Sequence, residues 1–83
     1  MAVCLHPHAL ERLAERGASE AEVIGTVENG QRFKAKFGRT GFRKTFPFES
    51  SWRGRIYQSK EVEVFAEREA EDWLVITVVT RYY

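Results

Sequence analysis

The amino-acid sequence predicts an α+β fold, two N-terminal helices packed on one face of a four- to five-stranded antiparallel sheet. Apolar residues recur at helical spacing as far as Gly30, and from Gln31 onward the period falls to two. The breaks between the later runs are short, which permits only antiparallel neighbours. With 83 residues, the chain is expected to form a single domain over 1–83, burying roughly 60–65% of its unfolded surface.

Each element has a local cause. Residues 2–5 suit a short strand. Pro7 opens the first helix, where its missing amide would have no partner anyway, and Leu10, Leu13 and Ala14 make an apolar stripe that ends at Gly17. Ser19 and Glu22 form a capping box ahead of Val23, Ile24 and Val27, and Asn29-Gly30 is expected to stop this second helix in a left-handed conformation. Strands are expected over 31–37, 41–48, 52–58, 60–68 and 72–82, with Gly38-Arg39-Thr40-Gly41 as the first hairpin turn. Strand parity directs Leu74, Ile76, Val78, Val62 and Val64 toward the helices, joined by Phe33, Phe37, Phe42 and Phe46. Arg32, Lys34, Lys36, Arg43 and Arg81 then fall on the open face with Glu61 and Glu63, and Trp73, Val75 and Val79 leave an apolar band across it.

Charge is distributed unevenly. The formal total is +1, yet residues 1–30 carry −3, residues 31–60 carry +8 and residues 61–83 carry −4. A cationic middle raises the expectation of a polyanionic partner, unless the Glu-rich strand neutralises it on folding. The stretch QRFKAKFGRTGFRKTF concentrates basic residues and four phenylalanines without a carboxylate. With the rings directed to the core, Arg32, Lys34, Lys36, Arg39 and Arg43 are expected to contact phosphates, and base stacking is not expected.

Other groups carry candidate chemistry. His8, Arg12 and Arg16 lie four residues apart, so a helix aligns a group that titrates near neutrality with two guanidinium groups, a set suited to a phosphodiester. The plainer reading is a solvated helix face in which Glu11 and Glu15 pair with these arginines. Cys4, His6 and His8 lack a second ligand pair, so no metal is expected, and Cys4 reads as a buried cysteine. No nucleotide-cofactor or zinc-protease motif is present, and no cofactor is expected. Lys60 shares parity with Val62 and Val64; on the helix-covered side it meets a carboxylate or reaches past a helix end, and the plainer reading is a stem covering apolar surface with its ammonium in water. Thr80, Arg81, Tyr82 and Tyr83 gather hydroxyls, a cation and rings at one sheet end. A single cysteine, no cleavage-site pattern and no run near 18 apolar residues lead to the expectation of a cytoplasmic protein with no membrane partner.

In order, H-A-L-E-R-L-A-E-R-G, S-E-A-E-V, a G-R-containing hairpin, K-E-V-E-V and W-L-V-I-T-V-V-T-R-Y-Y resemble the small bacterial proteins grouped as domain of unknown function 4258, over nearly the whole chain. That resemblance implies a RelE/ParE-like toxin fold, among the barnase-, EndoU- and colicin-like ribonucleases. It also implies metal-independent chemistry, in which an RNA 2′-hydroxyl attacks its own phosphate. His8, Arg12 and Arg16 match the family's pattern residue by residue, and Lys60 and Arg81 match it more loosely. The resemblance thereby suggests His8, Arg12, Lys60 and Arg81 as catalytic, with Tyr82 or Tyr83 beside them, although parity places Lys60 and Arg81 on opposite faces. The resulting expectation is a toxin-type RNA-binding protein, with ribonuclease activity as the chemistry to test. The alternative is a non-catalytic interaction module whose apolar band docks an antitoxin-like protein or a second copy of the chain.

Overall fold

A computed structural model describes residues 2–83. Strand β1 (Val3–Leu5) leads into helices α1 (Pro7–Arg16) and α2 (Glu20–Asn29), and strands β2 (Gln31–Lys34), β3 (Thr40–Trp52), β4 (Arg55–Glu69) and β5 (Asp72–Tyr82) follow. They form one sheet in the order β1-β5-β4-β3-β2. Helices on one face of a five-stranded sheet match the predicted α+β fold. All neighbouring strands are antiparallel except β1, which runs parallel to β5 with Val3 opposite Trp73 and Leu5 opposite Val75. The intervening helices supply the long connection that a parallel pair requires.

The helix signals act as their chemistry dictates. His6 precedes α1 and its Nδ1 accepts from the His8 amide at 3.2 Å, while Pro7 occupies the first turn. Gly17 closes the helix in the left-handed region at φ 72°. A side chain there would also strike the Tyr82 hydroxyl and the Trp52 ring. In α2 the capping box is complete, with the Glu22 amide donating to Ser19 Oγ at 3.1 Å and the Ser19 amide donating to Glu22 Oε1 at 3.0 Å. Gly30 departs from expectation. Its φ of −80° is ordinary, and the glycine is needed because a Cβ would meet the backbone of Thr26 and Arg43.

Strand boundaries shift where turns form. The first break is a tight turn at Lys36–Gly38, so β3 starts at Thr40 and contains Gly41. The second turn is Arg53-Gly54, both at positive φ as a two-residue hairpin requires. Expected strands 52–58 and 60–68 are therefore one continuous β4.

Two face assignments are corrected by register. Phe65 and Ala66 of β4 face Thr77 and Val75 of β5, which leaves Ile76 as an extra residue in a bulge. The bulge changes parity midway, so Trp73 and Val75 before it and Val78 after it all lie in the core, while Leu74 and Ile76 do not. The expected apolar band accordingly loses Trp73 and Val75. On β2, Arg32 pairs with Phe42 and Phe33 with Gly41. Arg32 thus lies on the helix side, its guanidinium over the Phe42 and Trp73 rings at 5.4 and 5.2 Å, and Lys34 shares that parity. Phe33 lies on the open face, edge-on to Phe65 with centroids 6.0 Å apart and under the Arg43 guanidinium at 4.7 Å.

The core joins Ala9 and Leu13 of α1, Val23 and Val27 of α2, and Phe42, Val62, Val64, Ala66, Trp73, Val75 and Val78 of the sheet. Helix α1 lies over β5, and α2 over β3 and β4. Cys4, expected to be buried, is exposed on the edge strand β1.

Candidate nucleic-acid interface

Because Ala9 and Leu13 anchor α1 to the sheet, the residues one position ahead or three behind on the helical wheel emerge along its flank. There His8, Arg12 and Arg16 line one cavity of about 220 Å³, whose other wall is Ile76, Thr77 and Val78 of β5. The structure thus brings together the three residues that helical spacing had aligned. The expected neutralisation by Glu11 and Glu15 does not occur: among the described residues, neither Arg12 nor Arg16 has a carboxylate within ion-pair distance. Arg12 and Arg16 form one i,i+4 row and Glu11 and Glu15 another, so like charges are stacked in each row, an arrangement that costs roughly 0.2–0.5 kcal/mol per pair, and the three-residue spacing of Arg12 and Glu15 is not closed by an ion pair. A bound anion would relieve the repulsion in the arginine row. The His8 ring lies parallel to the His6 ring, with centroids 5.3 Å apart. No group of three His, Cys, Asp or Glu suited to a metal occurs among the described residues.

Lys60 is elsewhere. It is only 5% exposed, and its ammonium donates to the Gly17 carbonyl and to Glu22 at 2.8 Å each. The carboxylate partner that its position required is therefore the capping-box glutamate. Around the same helix end, Thr80 Oγ1 donates to the Arg16 carbonyl, the Tyr82 hydroxyl donates to it at 3.3 Å, and Arg53 donates to the Glu15 carbonyl at 3.0 Å. Carbonyls left open at a helix C-terminus, carrying the negative end of the dipole, are thus met by two cations and two hydroxyls. Tyr82 is packed among Trp52, Phe48 and Tyr57, with centroids 5.1–5.4 Å away, and burial raises its phenol pKa above the ordinary value. These are structural roles, so Lys60 and Tyr82 stand apart from the His8 cavity.

Arg81 lies on the open face, as parity predicted, and is engaged there. Its guanidinium reaches Glu61 and Glu63 at 3.3 Å each, and Arg43 reaches Glu63 at 3.0 Å. Glu63, nearly buried, is neutralised by two arginines. The four residues suggested as catalytic therefore occupy three places, and only His8 and Arg12 share one.

Of the five basic residues assigned to phosphates, Arg43 is tied to this network, Arg32 covers core rings on the other face, and Arg39 pairs with Glu67 at 3.2 Å. Lys34 and Lys36 have no carboxylate within ion-pair distance among the described residues. Together with Arg39 they line a second cavity of about 410 Å³ whose remaining walls are Ala35, Phe37, Phe65 and Thr77. Phe37 is not a core residue: it is 87% exposed and sits at φ 61°. Sequence reasoning missed it because it extended strand parity through a turn. The available signal was the Phe37-Gly38 pair, with glycine marking the chain reversal. Thr77 belongs to both cavities, so the α1 flank and the hairpin tip meet at one residue of β5.

A family profile described as Domain of unknown function (DUF4258) matches residues 5–80. No curated protein and no solved structure matches the chain.

Proposed function

From a chain that belongs to the DUF4258 domain family, we propose a RelE/ParE-like, toxin-type protein of the bacterial cytoplasm that binds RNA and cleaves it without a metal. The observation that carries this reading is the unneutralised Arg12–Arg16 row beside His8 in one cavity. A phosphodiester seated there places its negative oxygens against two guanidinium groups, with an imidazole at hand for the 2′-hydroxyl proton. In the step itself, His8 takes that proton as the 2′-oxygen bonds to phosphorus. The 5′-oxygen then leaves with its bonding electrons and takes a proton from solvent. Arg12 and Arg16 stabilise the added charge on the phosphorane, and the product carries a 2′,3′-cyclic phosphate.

The docking alternative depended on a band containing Trp73 and Val75. With both in the core, Val79, beside Glu63, is what is left of the band from which docking of an antitoxin-like protein or a second copy was inferred. Among the described residues, no helix is long and apolar enough to cross a membrane.

The test is cleavage of a defined single-stranded RNA in EDTA. Purified protein should yield 2′,3′-cyclic phosphate ends, and His8→Ala and Arg12→Ala should each lower the rate at least ~100-fold with unchanged thermal midpoints. Absence of cleavage across varied RNA sequences would remove the catalytic half of the proposal. Absence of salt-sensitive RNA binding would remove the rest.

A further inference from the structure

The hairpin-tip cavity has features that phosphate contact alone leaves unexplained. Phe37 holds a left-handed φ of 61° that aromatic residues seldom adopt, and it holds it while exposing 87% of its surface. Neither burial nor turn geometry calls for an aromatic there; a smaller residue or glycine would relieve both the strain and the exposure. Phe37 lines one cavity with Phe65 and Ala35, and Lys34, Lys36 and Arg39 line it too; the Arg39 guanidinium lies 6.0 Å from the Phe37 ring centroid. An apolar slot bordered by three cations matches a flat aromatic ligand with anionic groups on either side, which is the chemistry of an unstacked nucleobase within its strand.

Resting on the RNA-binding reading above, we propose that this cavity holds one unstacked base of the RNA strand whose phosphate occupies the His8–Arg12–Arg16 cavity. Phe37 supplies the stacking surface, and Lys34 and Lys36 take the adjoining phosphates. Thr77 lines both cavities and pairs with Phe65 on the open face, so a single strand leaves the α1 flank past the edge of β5 that β1 does not cover and crosses the open face to the hairpin tip. The substrate class is therefore single-stranded RNA. A duplex keeps its bases paired and stacked and cannot offer one to Phe37. This restores the base-stacking role that the sequence had argued against, and assigns it to one ring of the four.

The experiment compares affinities of wild-type protein, Phe37→Ala, Phe37→Trp and Lys34→Ala for three ligands: a uridine-rich single-stranded octamer, the same strand with abasic riboses, and a duplex. Phe37→Ala should weaken octamer binding about 5- to 100-fold, largely independent of salt, and Phe37→Trp should restore it. Wild-type protein should bind the abasic strand about as weakly as Phe37→Ala binds the octamer. Lys34→Ala should weaken both strands alike and reduce the salt dependence. Phe37 is solvent-exposed, so its variants should keep the wild-type melting temperature. If wild-type protein binds the octamer but Phe37→Ala changes affinity less than twofold, the base site is refuted while the RNA reading stands. Equal affinity for octamer and abasic strand refutes it in the same way. If wild-type protein binds no RNA at all, the parent reading fails and this proposal falls with it.

Discussion

Lys60 and Tyr82 separate residues that hold the structure from residues that act on a ligand. Removing the Lys60 ammonium leaves Glu22 and the Gly17 carbonyl without their shared donor, so Lys60→Ala should destabilise the protein by roughly 2–4 kcal/mol. That is read as a lower urea midpoint at neutral pH; a loss below about 0.5 kcal/mol would mean the ion pair is immaterial. RNA cleavage per folded molecule should be unchanged, which distinguishes a structural lysine from a catalytic one. Tyr82 makes a pH prediction. Burial raises its folded pKa, so the folded state holds the phenol proton more tightly than the unfolded chain does. The corresponding stability is fully present below about pH 10 and is lost as pH rises through the folded value. Tyr82→Phe keeps the ring packing and gives up only long hydrogen bonds. It should therefore flatten the alkaline limb of the stability profile, and an unaltered limb would exclude Tyr82 as its source.

At the scale of elements, the Ile76 bulge decides which residues of β5 are core. Deleting Ile76 would join Val75 to Thr77, making Ala66–Val75 and Phe65–Thr77 successive pairs of a regular ladder with Trp73, Val75 and Val78 all still facing the core. In a Trp52→Phe background, the deletion should leave the fluorescence of Trp73 native-like and urea unfolding cooperative. A red-shifted spectrum or a loss of cooperative unfolding would show that the bulge itself is needed for this packing. The same bulge explains the limit of sequence reading. Helix starts and the end of the first helix at Gly17 were legible because Pro7, Ser19, Glu22 and Gly17 act on neighbours within one turn. The alignment of His8, Arg12 and Arg16 was legible for the same reason, since the helix itself provides it. The faces of Trp73, Arg32 and Phe33 depend on register with another strand, and no local signal marks an extra residue in β5. Lys60 and Arg81 could be placed by parity, but their partners Glu22, Glu61 and Glu63 are fixed only by the assembled sheet.

For the whole molecule, the charge asymmetry of the sequence is partly consumed on folding. Glu61, Glu63 and Glu67 take up Arg39, Arg43 and Arg81, so the cations left for RNA along the proposed path are chiefly Arg12, Arg16, Lys34 and Lys36. Four phosphate contacts predict that log K falls against log salt with a slope of about −3 for a single strand. A slope of about −5 would require the three paired arginines to release their carboxylates and would overturn this division of charge. The capped end of α1 bears on the timing of folding. Its carbonyls are satisfied by Arg53, Lys60, Thr80 and Tyr82, all distant in sequence, and β1 is secured by β5 across most of the chain. Helix α1 is thus first in sequence and among the last elements to be fixed, because its anchors exist only after the β3–β4–β5 meander has closed. Its amides should exchange with solvent through sub-global opening, at a lower free energy than those of the β3–β4–β5 meander, and its contacts should be nearly absent from the folding transition state.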